Sequence, residues 1–199
     1  MTLAHAVSGA DAMGGVIDTV ALADGRTLTV RTVTRADVDG LDALFEGLSD
    51  EDRYRRFFGF SHPRRGFLEQ MTRAAEEGGY RLIAVVSGAE DKLVAEAGYY
   101  LLPDGNGEFA LTVASGWRGW LGPYLLDALV AAAGARGVPN LQADILVENT
   151  QMLALACSRG YVTLGRDMGQ LRVAIDAAQR CQGRRSAGLL PRRGNRLGE

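Results

Sequence analysis

The residues best placed to do chemistry lie between Glu108 and Leu126. A carboxylate opens a run rich in strand-forming residues. Trp117-Arg118-Gly119-Trp120-Leu121-Gly122-Pro123 then leads into a long apolar segment. A strand that gives way to a helix through a short glycine-bearing turn presents unpaired backbone N–H groups, and the positive helix end, to an anion. Gly119 and Gly122 let the backbone come close to such a ligand, and Arg118 can add a charge-assisted contact. The chemistry this pattern suggests is phosphate binding. R-G-x-x-G alone is unspecific, since a plain strand–helix connection reads the same. Pro123 removes one N–H from the turn, although proline is well suited to the first helical positions.

Three glutamates are candidates for proton transfer. An alkyl ammonium with a pKa near ~10.4 is only ~0.1% free amine at about pH 7.5, a deficit of roughly 4 kcal/mol for any reaction that needs the amine. A carboxylate close by, directly or through one water, can take that proton as attack begins. Glu108 stands ten residues before Arg118, at the start of the strand that enters the turn. A solvent-facing strand glutamate is the plain alternative for it. Glu96 lies inside an apolar strand and is the costlier charge to bury. Glu148 ends a strand beside Asn149, a residue suited to capping the helix that follows. Cys157 reads as a buried helix residue without a reactive role. His5 and His62 are far apart in the sequence, so no metal site is expected.

The elements that must position these residues follow from periodicity. Val16–Leu22 and Thr27–Val33 flank Asp24-Gly25, the signal for a two-residue hairpin. Thr34-Arg35-Ala36-Asp37 is a capping-box pattern and opens a helix with Val38, Leu41, Leu44, Phe45 and Leu48 at helical spacing. Ser49-Asp50-Glu51-Asp52 opens a second, whose aromatics Tyr54, Phe57 and Phe58 are expected in the core. A third short helix follows Pro63. Three antiparallel strands are expected over 81–87, 93–102 and 108–114, then a helix over 121–136, a strand over 141–147, a helix over 150–159, and a last strand carrying Leu171, Val173 and Ile175. The sum is a mixed α/β domain built on one central sheet.

Composition sets the class. The chain has 199 residues, 47% hydrophobic and 23% charged, as an ordinary globular domain does. Two cysteines with no short pairing, Cys157 and Cys181, point to a reducing compartment. No secretory leader and no apolar run near ~20 residues is visible, so a cytoplasmic protein without membrane partners is expected. The net charge of −2 is uneven: residues 180–199 hold six arginines and one acid, leaving 16 basic and 23 acidic residues in the body. That balance gives no nucleic-acid footprint. Residues 1–15 and 178–199 are expected as flexible ends around a domain over 16–177.

The longer segments resemble the GNAT N-acetyltransferase superfamily from about Leu28 to Ile175. Its acyl-CoA loop reads Q/R-x-x-G-x-G/A between a strand and a helix, as Arg118–Gly122 does in part. The Leu28–Asp37 segment is similar to the family's first strand and helix start. The Leu48–Phe58 segment, L-S-D-E-D-R-Y-R-R-F-F, resembles a stretch of the bacterial protein-lysine acetyltransferase branch. The Val147–Tyr161 segment resembles E-N-x-x-M-L-x-L-x-x-x-x-G-F. The resemblance implies a mostly antiparallel splayed sheet flanked by helices, with acetyl-CoA as co-substrate and an amine acceptor, either a protein lysine or a small molecule. It implies Glu108 as general base. Leu111, Val113, Arg118, Gly119, Trp120, Gly122 and Asn149 would hold the cofactor, a strand N–H near Val113 polarising the thioester. It also leaves open a homodimer. The sequence departs from the branch in two places. Its loop is one residue short of W-Q-G-R-G-L-G-R-A-L, with Trp120 where a small residue is expected. Ala156 occupies the position of the tyrosine that many members use as general acid. Those departures motivate a second reading, a GNAT-fold binding or regulatory protein with an impaired cofactor loop.

Overall fold

The computed structural model describes residues 14–178. The expectations for the first thirteen residues and for 179–199, including Cys181 and the arginine-rich tail, lie outside them. In chain order the elements are β1 (Val16–Ala21), β2 (Thr27–Thr32), α1 (Val38–Glu46), α2 (Asp50–Phe57), α3 (Arg65–Thr72), β3 (Tyr80–Val86) and β4 (Lys92–Leu101). There follow β5 (Gly107–Val113), α4 (Leu121–Ala135), β6 (Asn140–Leu146), α5 (Thr150–Cys157), β7 (Val162–Asp167) and β8 (Gln170–Asp176). One eight-stranded sheet in the order β1-β2-β3-β4-β5-β6-β8-β7 organises the chain. Every neighbouring pair is antiparallel except β5 and β6.

Two of the antiparallel links share one solution. Leu22 N–H donates to Arg26 O at 2.8 Å, and Leu102 N–H to Asn106 O at 2.8 Å. Each encloses three residues, Ala23-Asp24-Gly25 and Pro103-Asp104-Gly105, with the glycine at φ 82° and 83°. The first hairpin is therefore a three-residue turn rather than the expected two-residue one. The left-handed glycine supplies the bulge that lets the strands keep their twist. The Thr34 capping box also differs from expectation. It closes a single 3-10 turn, and α1 starts only at Val38. The Asp37 carboxylate that would cap the helix is also held by both Arg31 amino groups at 2.8 and 2.6 Å.

Apolar periodicity puts one layer of helices on each side of the sheet. On one face α4 buries Leu121, Leu125, Leu126 and Leu129 completely against strand residues such as Leu82, Tyr99 and Leu141. At roughly 1.5–3 kcal/mol per buried leucine, this layer is a main source of stability. On the other face Leu41, Phe45, Leu68 and Met71 from α1 and α3 close over Ile83 and Leu93. The α2 aromatics depart from their expected place in the core. Phe57 packs against the second cluster, while Phe58 is 42% and Phe60 65% exposed. Strand β7 had no counterpart in the sequence reading. Gly165 sits at an irregularity in its pairing with β8, and all six residues are exposed, so no alternation marks it.

Candidate functional site

The parallel pair β5–β6 holds register at only two positions, Gly107 with Leu141 and Glu108 with Gln142. Beyond them β5 continues to Val113 and β6 to Leu146, and the strands part. The direction of the freed groups follows from register. Ala114 N–H donates to Val94 O at 2.9 Å, so residues 112, 110 and 108 also turn their backbone groups toward β4. Phe109, Leu111 and Val113 turn theirs toward β6, where no strand meets the last two. A backbone edge buried without partners is costly, so a ligand able to accept or donate there is favoured.

The gap opens into a cavity of about 550 Å³. Leu111, Val113, Gly119, Gly122 and Asn149 line it, and so do Arg118 and Glu108. Seven of the eight residues named from the sequence therefore meet around one space. Trp120 is outside the lining. The residue is 40% exposed, with its ring centroid 6.4 Å from that of Trp117. Glu148 is exposed and likewise outside the lining.

The turn into α4 combines a left-handed glycine with uncapped helix N–H groups. Gly119 has φ 95°, a conformation that a side chain disfavours, although a Cβ there would meet nothing within 4 Å. Trp120 supplies no side-chain cap to α4, so the N–H groups of Leu121 and Gly122 have no acceptor within the helix. A Cβ on Gly122 would stand 3.8 Å from both Leu111 Cδ2 and Val113 Cγ2. Those are ordinary contacts, so the bare glycine leaves free space between the helix and β5 rather than avoiding a clash. Pro123 sits in the first turn of α4, where its missing N–H costs no intrahelical bond.

Asn149 caps α5, its Oδ1 accepting from Met152 N–H at 3.2 Å, and it lines the cavity as well. The Arg159 guanidinium holds α5 against α4, donating to both Asp127 oxygens at 3.1 and 3.0 Å. Ala156 is completely buried, whereas Cys157, expected to be buried, is exposed at the end of α5, and the lining contains no tyrosine, histidine or cysteine among the described residues.

The carboxylates divide. Glu96 is completely buried and bound by Arg81, by Arg56 at 3.1 and 3.3 Å, and by the Thr112 hydroxyl at 2.9 Å. Burial pushes its pKa up, but the two guanidiniums and these hydrogen bonds prevail and leave it lowered. Glu108 lies on the same strand face as Thr112, four residues away, yet is exposed and at the cavity wall. Arg56 is drawn inward by Glu96 and lies 4.8 Å over the Phe57 ring. Arg55 pairs with Glu51 at 2.5 Å. The α2 arginines Arg55 and Arg56 are thus engaged by acids of this chain.

Sequence reasoning missed Asp52, Phe58, Asp144 and Met152, which also line the cavity. Asp52 had a signal, but a misleading one: as part of the helix-opening S-D-E-D run it reads as a cap, and Ser49 Oγ does accept its N–H at 3.1 Å. Its second partner, Arg118, is 66 residues away in sequence and has no local signature.

A splayed sheet that parts between parallel neighbours, with a glycine turn and a helix N-terminus at the opening, defines the GNAT acyltransferase fold, and the chain has that fold. Within the class it is similar to acetyltransferase Pat of Mycolicibacterium smegmatis, 27% identical over 158 residues. That match covers 76% of this chain and 46% of the relative, so the chain spans about half the length of the protein it matches. The crystal structure of the GNAT domain of S. lividans PAT superposes with a TM-score of 0.69 at 26% identity, covering 80% of this chain and 96% of that one. The Salmonella typhimurium protein yncA, solved with its cofactor acetyl-CoA, shares the fold at TM-score 0.58 and 17% identity, covering 75% and 94%. No protein-family model matches the chain. Among the described residues, no helix is long and apolar enough to cross a membrane.

Proposed function

We propose that this chain is an acetyl-CoA-dependent N-acetyltransferase in which Glu108 is the general base. The observation that carries this reading is the parting of β5 and β6, which faces the backbone of Leu111 and Val113 toward a cavity that also holds Glu108, Gly119, Gly122 and Asn149. A chain with a thioester at one end and a diphosphate further along suits that arrangement. The diphosphate lies at the Leu121 and Gly122 N–H groups with Arg118 beside it, the connecting arm runs past Asn149, and the thioester carbonyl accepts from a β5 N–H. The kinship with Pat proteins and the acetyl-CoA of the yncA structure agree with this choice of co-substrate.

The acceptor enters from the α2 side, where Glu108 takes the ammonium proton directly or through water. The freed amine attacks the thioester carbonyl, the C–N bond forms and the C–S bond breaks. The thiolate departs without a protein acid, which its weak basicity allows, and the surplus proton of the new amide nitrogen passes to it through water. The acceptor is a primary amine, on a protein lysine or a small molecule. Calorimetric titration with acetyl-CoA, followed by thiol release across a panel of amines, tests the reading. Micromolar binding with amine-dependent release is expected, and absence of binding at millimolar ligand overturns it.

A specific observation favours a second reading. Ala156 is buried where a tyrosine acid would stand, and the short loop places Trp120 outside the cavity. A GNAT-fold binding or regulatory protein would bind acetyl-CoA weakly or not at all and release no thiol with any amine.

A further inference from the structure

Arg118 is the one basic side chain in the turn before α4, and it is already taken. Its Nη2 donates to Asp52 Oδ2 at 2.6 Å, and its Nε to Val113 O at 3.4 Å. Asp52 belongs to α2, on the opposite wall of the same cavity. The ion pair therefore ties the acceptor-side helix to the turn expected to receive the diphosphate, and it covers the carbonyl of Val113 where the strands part.

We propose that Asp52 is an internal competitor for Arg118: it holds the guanidinium until the diphosphate of the co-substrate takes it over, and in yielding it unfastens α2 from the cofactor turn. The inference rests on the acetyl-CoA reading above. Three observations make the exchange feasible. The Arg118 side chain is 36% exposed, so it can move without opening the core. A diphosphate carries more charge than one carboxylate and also accepts from the backbone N–H groups at the start of α4, which sets the direction of transfer. Asp52 would not be stranded, because its Oδ2 also accepts from Ser49 Oγ at 2.8 Å and Arg55 Nη1 stands 3.9 Å from its Oδ1. That second guanidinium is in place to close on Asp52 once Arg118 has gone.

The exchange has a consequence for the acceptor. Helix α2 is capped by Phe58, which holds a left-handed φ of 54°, unusual for a side-chain-bearing residue, and lines the cavity. With the pair closed, α2 is fastened at Arg118 and, through Arg56, at Glu96. With Arg118 transferred, Arg56 and the packing of Phe57 still hold the inner side of α2, while the turn that carries Asp52 loses its ion pair across the cavity, so co-substrate binding loosens the outer part of the acceptor wall. Acceptor binding should accordingly follow co-substrate.

The experiment is a double-mutant cycle read by calorimetry with coenzyme A and, in parallel, with pantetheine, which lacks the diphosphate. Removing the competitor by Asp52→Asn should tighten coenzyme A binding about two- to fivefold, the range a partly exposed ion pair supports. Pantetheine affinity should not change. In an Arg118→Ala background, Asp52→Asn should have no effect on either ligand. If Asp52 instead orients Arg118 for the ligand, Asp52→Asn weakens coenzyme A binding, and that result overturns the proposal, as does an unchanged affinity. Asp52→Ser, with circular dichroism on all variants, guards against a misfolded single substitution. Wild-type protein that binds no coenzyme A at all overturns the acetyl-CoA reading itself, a distinct outcome from wild-type binding that Asp52→Asn leaves unimproved.

Discussion

Two glutamates on adjacent strands of one sheet live in opposite worlds. Glu96 on β4 is sealed from solvent, with Arg81, Arg56 and Thr112 filling its hydrogen-bonding capacity. Glu108 on β5 stands where the sheet parts and faces a cavity. The difference lies in neighbours. Strand β4 is paired along its length on both sides and covered by helices, so a charge there must be neutralised from within. The free edge of β5 admits water and ligand, and its carboxylate faces both. The first glutamate is committed to holding the sheet to α2, and the second stands at the cavity where the proposed reaction needs a base.

The comparison breaks most sharply at Glu96. Glu96→Ala leaves Arg81 and Arg56 charged in the interior and should cost about 3–5 kcal/mol in urea unfolding, if it folds at all. A loss near zero would mean that the network is not built as described. The same site predicts a pH dependence. The folded pKa of Glu96 is lowered, so its contribution to stability is complete above the unfolded value near 4.5 and is lost as pH falls below it toward the folded value. Asp37, also lowered, adds in the same direction: burial raises it, but the hydrogen bonds from Arg31 and Thr34 outweigh that. Melting temperature should therefore fall on acidification through this range, and Glu96→Gln, with a lower starting stability, should flatten the slope.

Glu108→Gln is the complementary test and the next largest effect. Turnover should drop about 10²–10⁴-fold, the range for losing a general base, with acetyl-CoA affinity and melting temperature unchanged. Unchanged turnover would move the base elsewhere. A fall in stability comparable to that at Glu96 would erase the distinction between the two carboxylates.

The amount that the sequence revealed follows the same division. Apolar spacing located α1, α4 and the central strands because burial writes itself as period two or 3.6. Glu108, Arg118, Gly119, Gly122 and Asn149 were legible because each belongs to a local segment, either a strand–turn–helix or a strand end with a cap. What stayed hidden is whatever depends on distant partners. Nothing in S-D-E-D announces that Asp52 will reach Arg118, and nothing near Arg56 announces Glu96, forty residues on. Strand β7 was hidden for another reason: with both faces exposed, its residues face no alternating constraint. Gly25 was seen as a turn, but the loop length was set by where Leu22 and Arg26 close the ladder.

The smallest effects separate backbone demand from ligand space within the turn itself. Gly119 and Gly122 look equivalent in sequence, yet they differ in the structure. Gly119 needs its glycine for a φ of 95°, so Gly119→Ala should destabilise the fold by about 1 kcal/mol even though its Cβ would touch nothing. Gly122 is already helical, and alanine there should raise stability by up to about 1 kcal/mol through helix propensity. The same methyl would occupy the space between α4 and β5, in contact with Leu111 and Val113, and should weaken coenzyme A binding. Opposite signs for stability and affinity in Gly122→Ala, measured by thermal melting and calorimetry on one preparation, identify that space as the ligand's. A variant that gains stability and binds coenzyme A as well as the wild type would mean that the ligand lies elsewhere along the parted strands.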